Sequence, residues 1–107
     1  MTATPDPVQI IRAADLPAVQ VCPGVTQRNF PSSDHLIGWI LDFEPGAEWP
    51  EATPHPTEER YYVLSGEIID NGERLPAGTY VIFAPGTTHR PRTDVGAQLL
   101  GVNVRPS

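Results

Sequence analysis

The stretch "ATPHPTEERYYVLSGE", residues 52 to 67, decides the fold. It sets one histidine, His55, between two prolines. Glu58 and Glu59 follow, and then an apolar run that closes at Gly66. Proline holds φ at about −65° and pushes the residue before it toward extended backbone. Pro54 and Pro56 therefore restrict where the His55 imidazole can go. Proline also lacks an N–H, which puts the stretch at a sheet edge or a barrel mouth. Side chains two apart on an extended chain share a face. Thr53, His55, Glu59 and Tyr61 are thus expected on one side, with Glu58 on the other as a solvated charge.

The rest of the chain has the same character. Thirteen prolines and nine glycines cut it into short runs rich in Val, Ile, Leu and aromatics, which is the pattern of many short strands. Strands are expected at 8–12, 18–22, 24–30, 35–43, 59–70, 78–84, 88–93 and 97–104, with one helical turn in "RAADLP". The "DNG" at 70–72 signals a tight hairpin, because Asn-Gly suits two residues at positive φ. "EPGAE" (44–48) and "APGTT" (84–88) read as turns. Such even spacing points to a sandwich or small barrel. Residues 1–107 read as one domain, with 1–7 loose.

Composition removes several functions. The formal net charge is −6, and all seven cations are arginines. An acidic chain with no basic run is a poor partner for nucleic acid or an anionic membrane. Without lysine there is no Schiff-base chemistry. Phosphate-loop, dinucleotide and CxxC motifs are absent. The single cysteine, Cys22, forms no disulfide within the chain and reads as buried and reduced. The start, "MTATPDPVQ", has neither the basic nor the apolar region of a signal peptide, and no run is long enough to span a membrane. A cytoplasmic protein is the expectation.

A second histidine, His89, follows the Pro-Gly turn at 85–86 and opens another extended run. With His55 and Glu59 it completes a two-histidine, one-carboxylate set. Such a set suits non-haem Fe(II), and also takes Mn, Ni, Co or Zn. Among the other residues, His35 shares parity with Ile37, Trp39, Leu41 and Phe43 and reads as structural. Tyr61 is a pocket candidate by its parity with Glu59, and Trp39, Trp49, Tyr80 and Phe83 are further lining candidates. Arg60 and Arg90 adjoin the ligands in sequence and are expected to point away.

These two stretches resemble the paired motifs of the cupin superfamily. In the first motif Gly46 opens, His55 takes the second histidine position, and six residues separate Glu59 from the closing Gly66. In the second, Gly78, Gly86 and His89 fall in register. The resemblance covers about residues 35–104. There are four departures: Thr53 stands at the first histidine position, six residues rather than five follow Gly46, Ala84 precedes Pro85 where the motif has its proline, and Thr93 closes the second motif.

The resemblance implies an all-β, single-domain cupin barrel, a double-stranded β-helix or jelly roll. It implies one divalent metal, Fe(II) favoured, held by His55, Glu59 and His89, with Thr53 and Tyr61 as pocket residues. A homodimer through the N-terminal strands is implied as well. Two functions follow from it. One is a metal-dependent enzyme on a small organic substrate, of dioxygenase or isomerase/cyclase type. The other, closer to the cupin domain of zinc-dependent anti-sigma factors, is a non-catalytic small-molecule or metal-binding module, metal-free if Thr53 costs the site its ion. Because ligating imidazoles must be neutral, metal affinity is expected to fall below about pH 6.

Overall fold

The computed structural model describes residues 7–106. Nine strands follow a 3-10 turn at Ala13–Asp15: β1 (Val19–Cys22), β2 (Val25–Asn29), β3 (Leu36–Phe43), β4 (Thr53–Pro54), β5 (Glu59–Asp70), β6 (Glu73–Pro76), β7 (Tyr80–Phe83), β8 (Thr88–His89) and β9 (Ala97–Val104). Every pairing is antiparallel. The main sheet runs β1-β2-β3-β9-β5-β6, with β7 also on β5, and β4 pairs with β8 in a separate ribbon.

β5 is the strand that shapes the molecule. Its first half lies between β7 and β9, with Glu59 opposite Phe83 and Asn103 and Tyr61 opposite Val81 and Gly101. The register with β9 then slips between Val63 and Ser65, so that two residues of β5 face one step of β9. A bulge of this kind bends a strand and reverses which parity points inward. Glu59, Tyr61 and Val63 are buried before it; after it Ile68, Ile69 and Asp70 are all buried, and Asp70 turns toward Tyr61 and His89. At Gly66 (φ +72°) a Cβ would lie 1.9 Å from the Gly96 carbonyl oxygen, so only glycine fits there. Past that point β5 leaves β9 and joins β6. The segment 91–93 closes this side, exchanging backbone hydrogen bonds with Ile69 on one flank and with Ala47 and Trp49 on the other.

The core lies between these layers. Trp39, Leu41 and Phe43 alternate along β3, and Val25, Tyr61, Val63, Ile68 and Leu99 complete it. Full burial of each large apolar side chain contributes about 1.5–3 kcal/mol. The hairpin at 70–72 has the expected form, with Asn71 and Gly72 both at positive φ.

Several expectations are corrected. Residues 8–12 form no strand. Their apolar side chains have no sheet to join, and Val8 and Ile10 are 71% and 79% exposed. The run expected at 88–93 shortens to Thr88–His89, because Pro91 has no N–H for a ladder. His35 is exposed. It precedes β3, so strand parity does not carry it into the core. Cys22 is only half-buried, and its thiol donates to the Glu48 carbonyl at 3.4 Å. The returning strand β6 and the short β4 are additional to the expected set. The expectation that 1–7 is loose lies, but for Pro7, outside the described residues.

Candidate metal centre

Three elements meet at one end of the core. His55 sits in the loop between β4 and β5. Its N–H donates to the Thr87 carbonyl at 3.3 Å, and its carbonyl accepts from the Gly86 N–H at 2.7 Å. The turn that precedes His89 therefore also anchors His55. Glu59 is the first residue of β5 and His89 the last of β8. A single extended strand does not bring His55 and Glu59 together, since the chain bends at residues 56–57.

The ligating atoms converge. Glu59 Oε2 lies 2.5 Å from His89 Nε2 and 3.6 Å from His55 Nε2. One nitrogen or oxygen from each of the three residues falls within 4.8 Å of the others. Glu59 and His89 are buried, and His55 is the more open member. The His89 ring stacks on Phe83 at 4.0 Å between centroids.

A second layer holds these groups. Asp70 Oδ2 accepts from the Tyr61 hydroxyl at 2.7 Å and lies 2.9 Å from His89 Nδ1. Asn103 donates to the other Glu59 oxygen at 3.2 Å and accepts from the Trp39 indole at 2.6 Å. With Nδ1 committed to Asp70, the His89 Nε2 faces Glu59 and His55 as the ligating atom. Burial alone would lower the His89 pKa. The hydrogen bonds to Asp70 and Glu59 outweigh it and push the pKa up to about 9. Burial pushes Tyr61 up as well, with the charge of Asp70 adding to it. Both His89 nitrogens thus carry hydrogen, each facing a carboxylate, and a cation can take the place of the Nε2 proton. The residues fit a mononuclear metal of the two-histidine, one-carboxylate kind.

The cavity beside these residues measures about 200 Å³. His55, Glu59, His89 and Tyr61 line it, as do Trp39 and Trp49. Thr53 pairs across the ribbon with His89 but is exposed and not part of the wall. Tyr80 is 53% exposed and lies outside it. Arg60 turns to Glu58 and Tyr80, and Arg90 to the carbonyls of Trp49 and Pro50, both away from the ligands as expected. Glu58 is accordingly paired on the outside. Sequence reading missed Asp70, Asn103 and Gln27. The last two line the cavity from β9 and β2, with no motif to mark them.

The sequence matches the ChrR cupin-like domain over residues 7–106, and the chain belongs to that cupin family. No curated protein matches it. Among solved structures it resembles an RmlC-like cupin from Shewanella frigidimarina, with TM-score 0.84 and 19% identity over 92% of each chain. It also resembles ChrR in the Rhodobacter sphaeroides SigE–anti-sigma ChrR complex, with TM-score 0.76 and 24% identity over 86% of this chain and 50% of that one. The polyketide cyclase RemF from Streptomyces resistomycificus gives TM-score 0.77 and 19% identity over 91% and 79%. At these identities the likeness is one of fold. No helix among the described residues is long and apolar enough to cross a membrane.

Proposed function

We propose that this protein is a mononuclear metalloenzyme acting on a small organic molecule, with His55, Glu59 and His89 holding one divalent ion, Fe(II) foremost. The observation that carries the proposal is the convergence of three ligating atoms beside a mostly apolar cavity, with Asp70 and Asn103 fixing two of the ligands. When bound, the metal supplies a Lewis acid or an O₂-binding centre. The protein contributes the rest. Trp39, Trp49 and Leu99 exclude water and pack the substrate body. Phe83 and Asp70 fix the His89 ring plane and tautomer. Three protein ligands leave positions for substrate and a second small molecule. The cavity volume restricts the substrate to one well below drug size.

The family match favours a second reading, a binding module in which the same centre reports a ligand without turnover. Metal-loaded protein incubated with a panel of small chelating organic molecules, under air and without oxygen, separates the two. Product formation or O₂ uptake supports the enzyme, and saturable binding without product supports the module.

For the homodimer, the apolar outer face of β5, β7 and β9 offers a contact other than the N-terminal strands expected above. Tyr62 stands opposite Tyr80 and Leu100 there, and all three are exposed. Sedimentation at micromolar concentration tests it, with a dimer expected and a monomer contradicting it.

A further inference from the structure

We propose that this centre selects an uncharged ligand with an apolar body, and that Asp70 sets the preference. The inference rests on the metal reading above. A divalent ion brings two positive charges. Glu59 and Asp70 bring two negative ones, and their side chains are only 7% and 1% exposed. Asp70 is not a ligand. It acts through the His89 ring, with Oδ2 2.9 Å from Nδ1 while Glu59 meets Nε2. Ion and carboxylates therefore sum to zero inside the barrel.

Apart from the histidines that would hold the ion, no side chain of the cavity wall is cationic. The chain has no lysine, and no arginine lines the cavity among the described residues. Arg60 and Arg90, nearest the ligands in sequence, are held outside, Arg60 by Glu58 at 2.8 Å and Arg90 by Glu48 at 3.2 Å. The Asn103 amide is committed to Trp39 and Glu59. An anion entering the site would leave a buried negative charge with no counter-charge, which is costly in an apolar setting. An uncharged ligand leaves none. Its far end would meet Trp39, Leu41, Trp49 and Leu99.

The test uses protein loaded with Co(II), titrated with imidazole and with azide at mildly alkaline pH, where imidazole is uncharged. Visible absorption reports both. Affinities are taken relative to those for aqueous Co(II). The wild type should favour imidazole over azide by about tenfold or more. Asp70→Asn removes one negative charge from the far side of the His89 ring and should raise azide relative to imidazole by about tenfold or more. A wild type that prefers azide, or an Asp70→Asn protein with an unchanged ratio, overturns the inference. If Asp70→Asn fails to fold, the wild-type preference decides alone. A folded wild type that takes no Co(II) overturns the metal reading itself, and this inference with it.

Discussion

The Asp70 carboxylate and the His89 imidazole, 19 residues apart in sequence, meet at 2.9 Å between Oδ2 and Nδ1. Both are buried, and Tyr61 holds the same oxygen from the other side. The contact fixes which His89 nitrogen faces Glu59 and His55. Asp70→Asn is therefore expected to weaken metal binding about 10–100-fold while the fold persists. A metal competition assay with circular dichroism checks this. Unchanged affinity in a folded variant would show that Asp70 does not orient the ligand.

The pH dependence follows from the raised pKa of His89. In the metal-free protein it is pushed up to about 9, from an ordinary 6.5. Protonated His89 stabilises the fold. That contribution is whole below about pH 6.5, declines as pH rises, and is lost above about 9. The Tm of chelator-treated protein should fall across this window, and that of His89→Asn should fall less. Metal displaces the Nε2 proton, so affinity should climb with pH through the same window. An ordinary imidazole would place the limit at about pH 6, and the two carboxylates move it upward. A metal affinity that is flat between pH 6.5 and 9 contradicts the assignment.

Gly101 of β9 tests how the core supports the site. A Cβ there would lie 2.3 Å from two Trp39 ring atoms and 2.8 Å from the Arg60 carbonyl oxygen. Gly101→Ala should cost about 1–3 kcal/mol through overpacking. At about 4–8 °C per kcal/mol for a domain of this size, calorimetry will resolve the drop in Tm. Because Trp39 must move, its hydrogen bond to Asn103 is lost with it, and metal binding should weaken. A Tm equal to the wild type would mean that the strands part without cost.

Thr53 lies across the β4–β8 ribbon from His89, and residues directly opposite share a face. A histidine there is longer than the threonine and would extend beside His89 from its exposed position. Thr53→His should raise metal affinity by adding a fourth ligand, and lower any activity that needs the vacant position. Competition between the two proteins for one metal measures it. No gain in a folded variant would place position 53 away from the ion.

The sequence carried the ligands more plainly than their support. His55, Glu59 and His89 were legible as a candidate set because the resemblance to the paired cupin motifs marks their positions, and the fold brings the three together. Gly66 was legible for a reason now visible, its approach to the Gly96 carbonyl. Asp70 was hidden by the bulge between Val63 and Ser65. Parity counted from Glu59 sends residue 70 outward, and the extra residue turns it in. It also sits beside the "NG" of a hairpin, where an aspartate reads as turn chemistry. Residues 8–12 failed in the opposite way. Their alternation suits a strand, but pattern alone cannot supply a neighbour to bond with.

Metal content tests the central claim most directly. Wild-type protein purified without chelator, or loaded with Fe, Mn, Co, Ni or Zn, should hold close to one divalent ion per chain by elemental analysis. His55→Ala and His89→Ala should lose it, with circular dichroism still reporting the folded barrel, since the metal adds to a preformed core rather than creating it. A folded wild-type protein that binds none of the five metals would contradict the account.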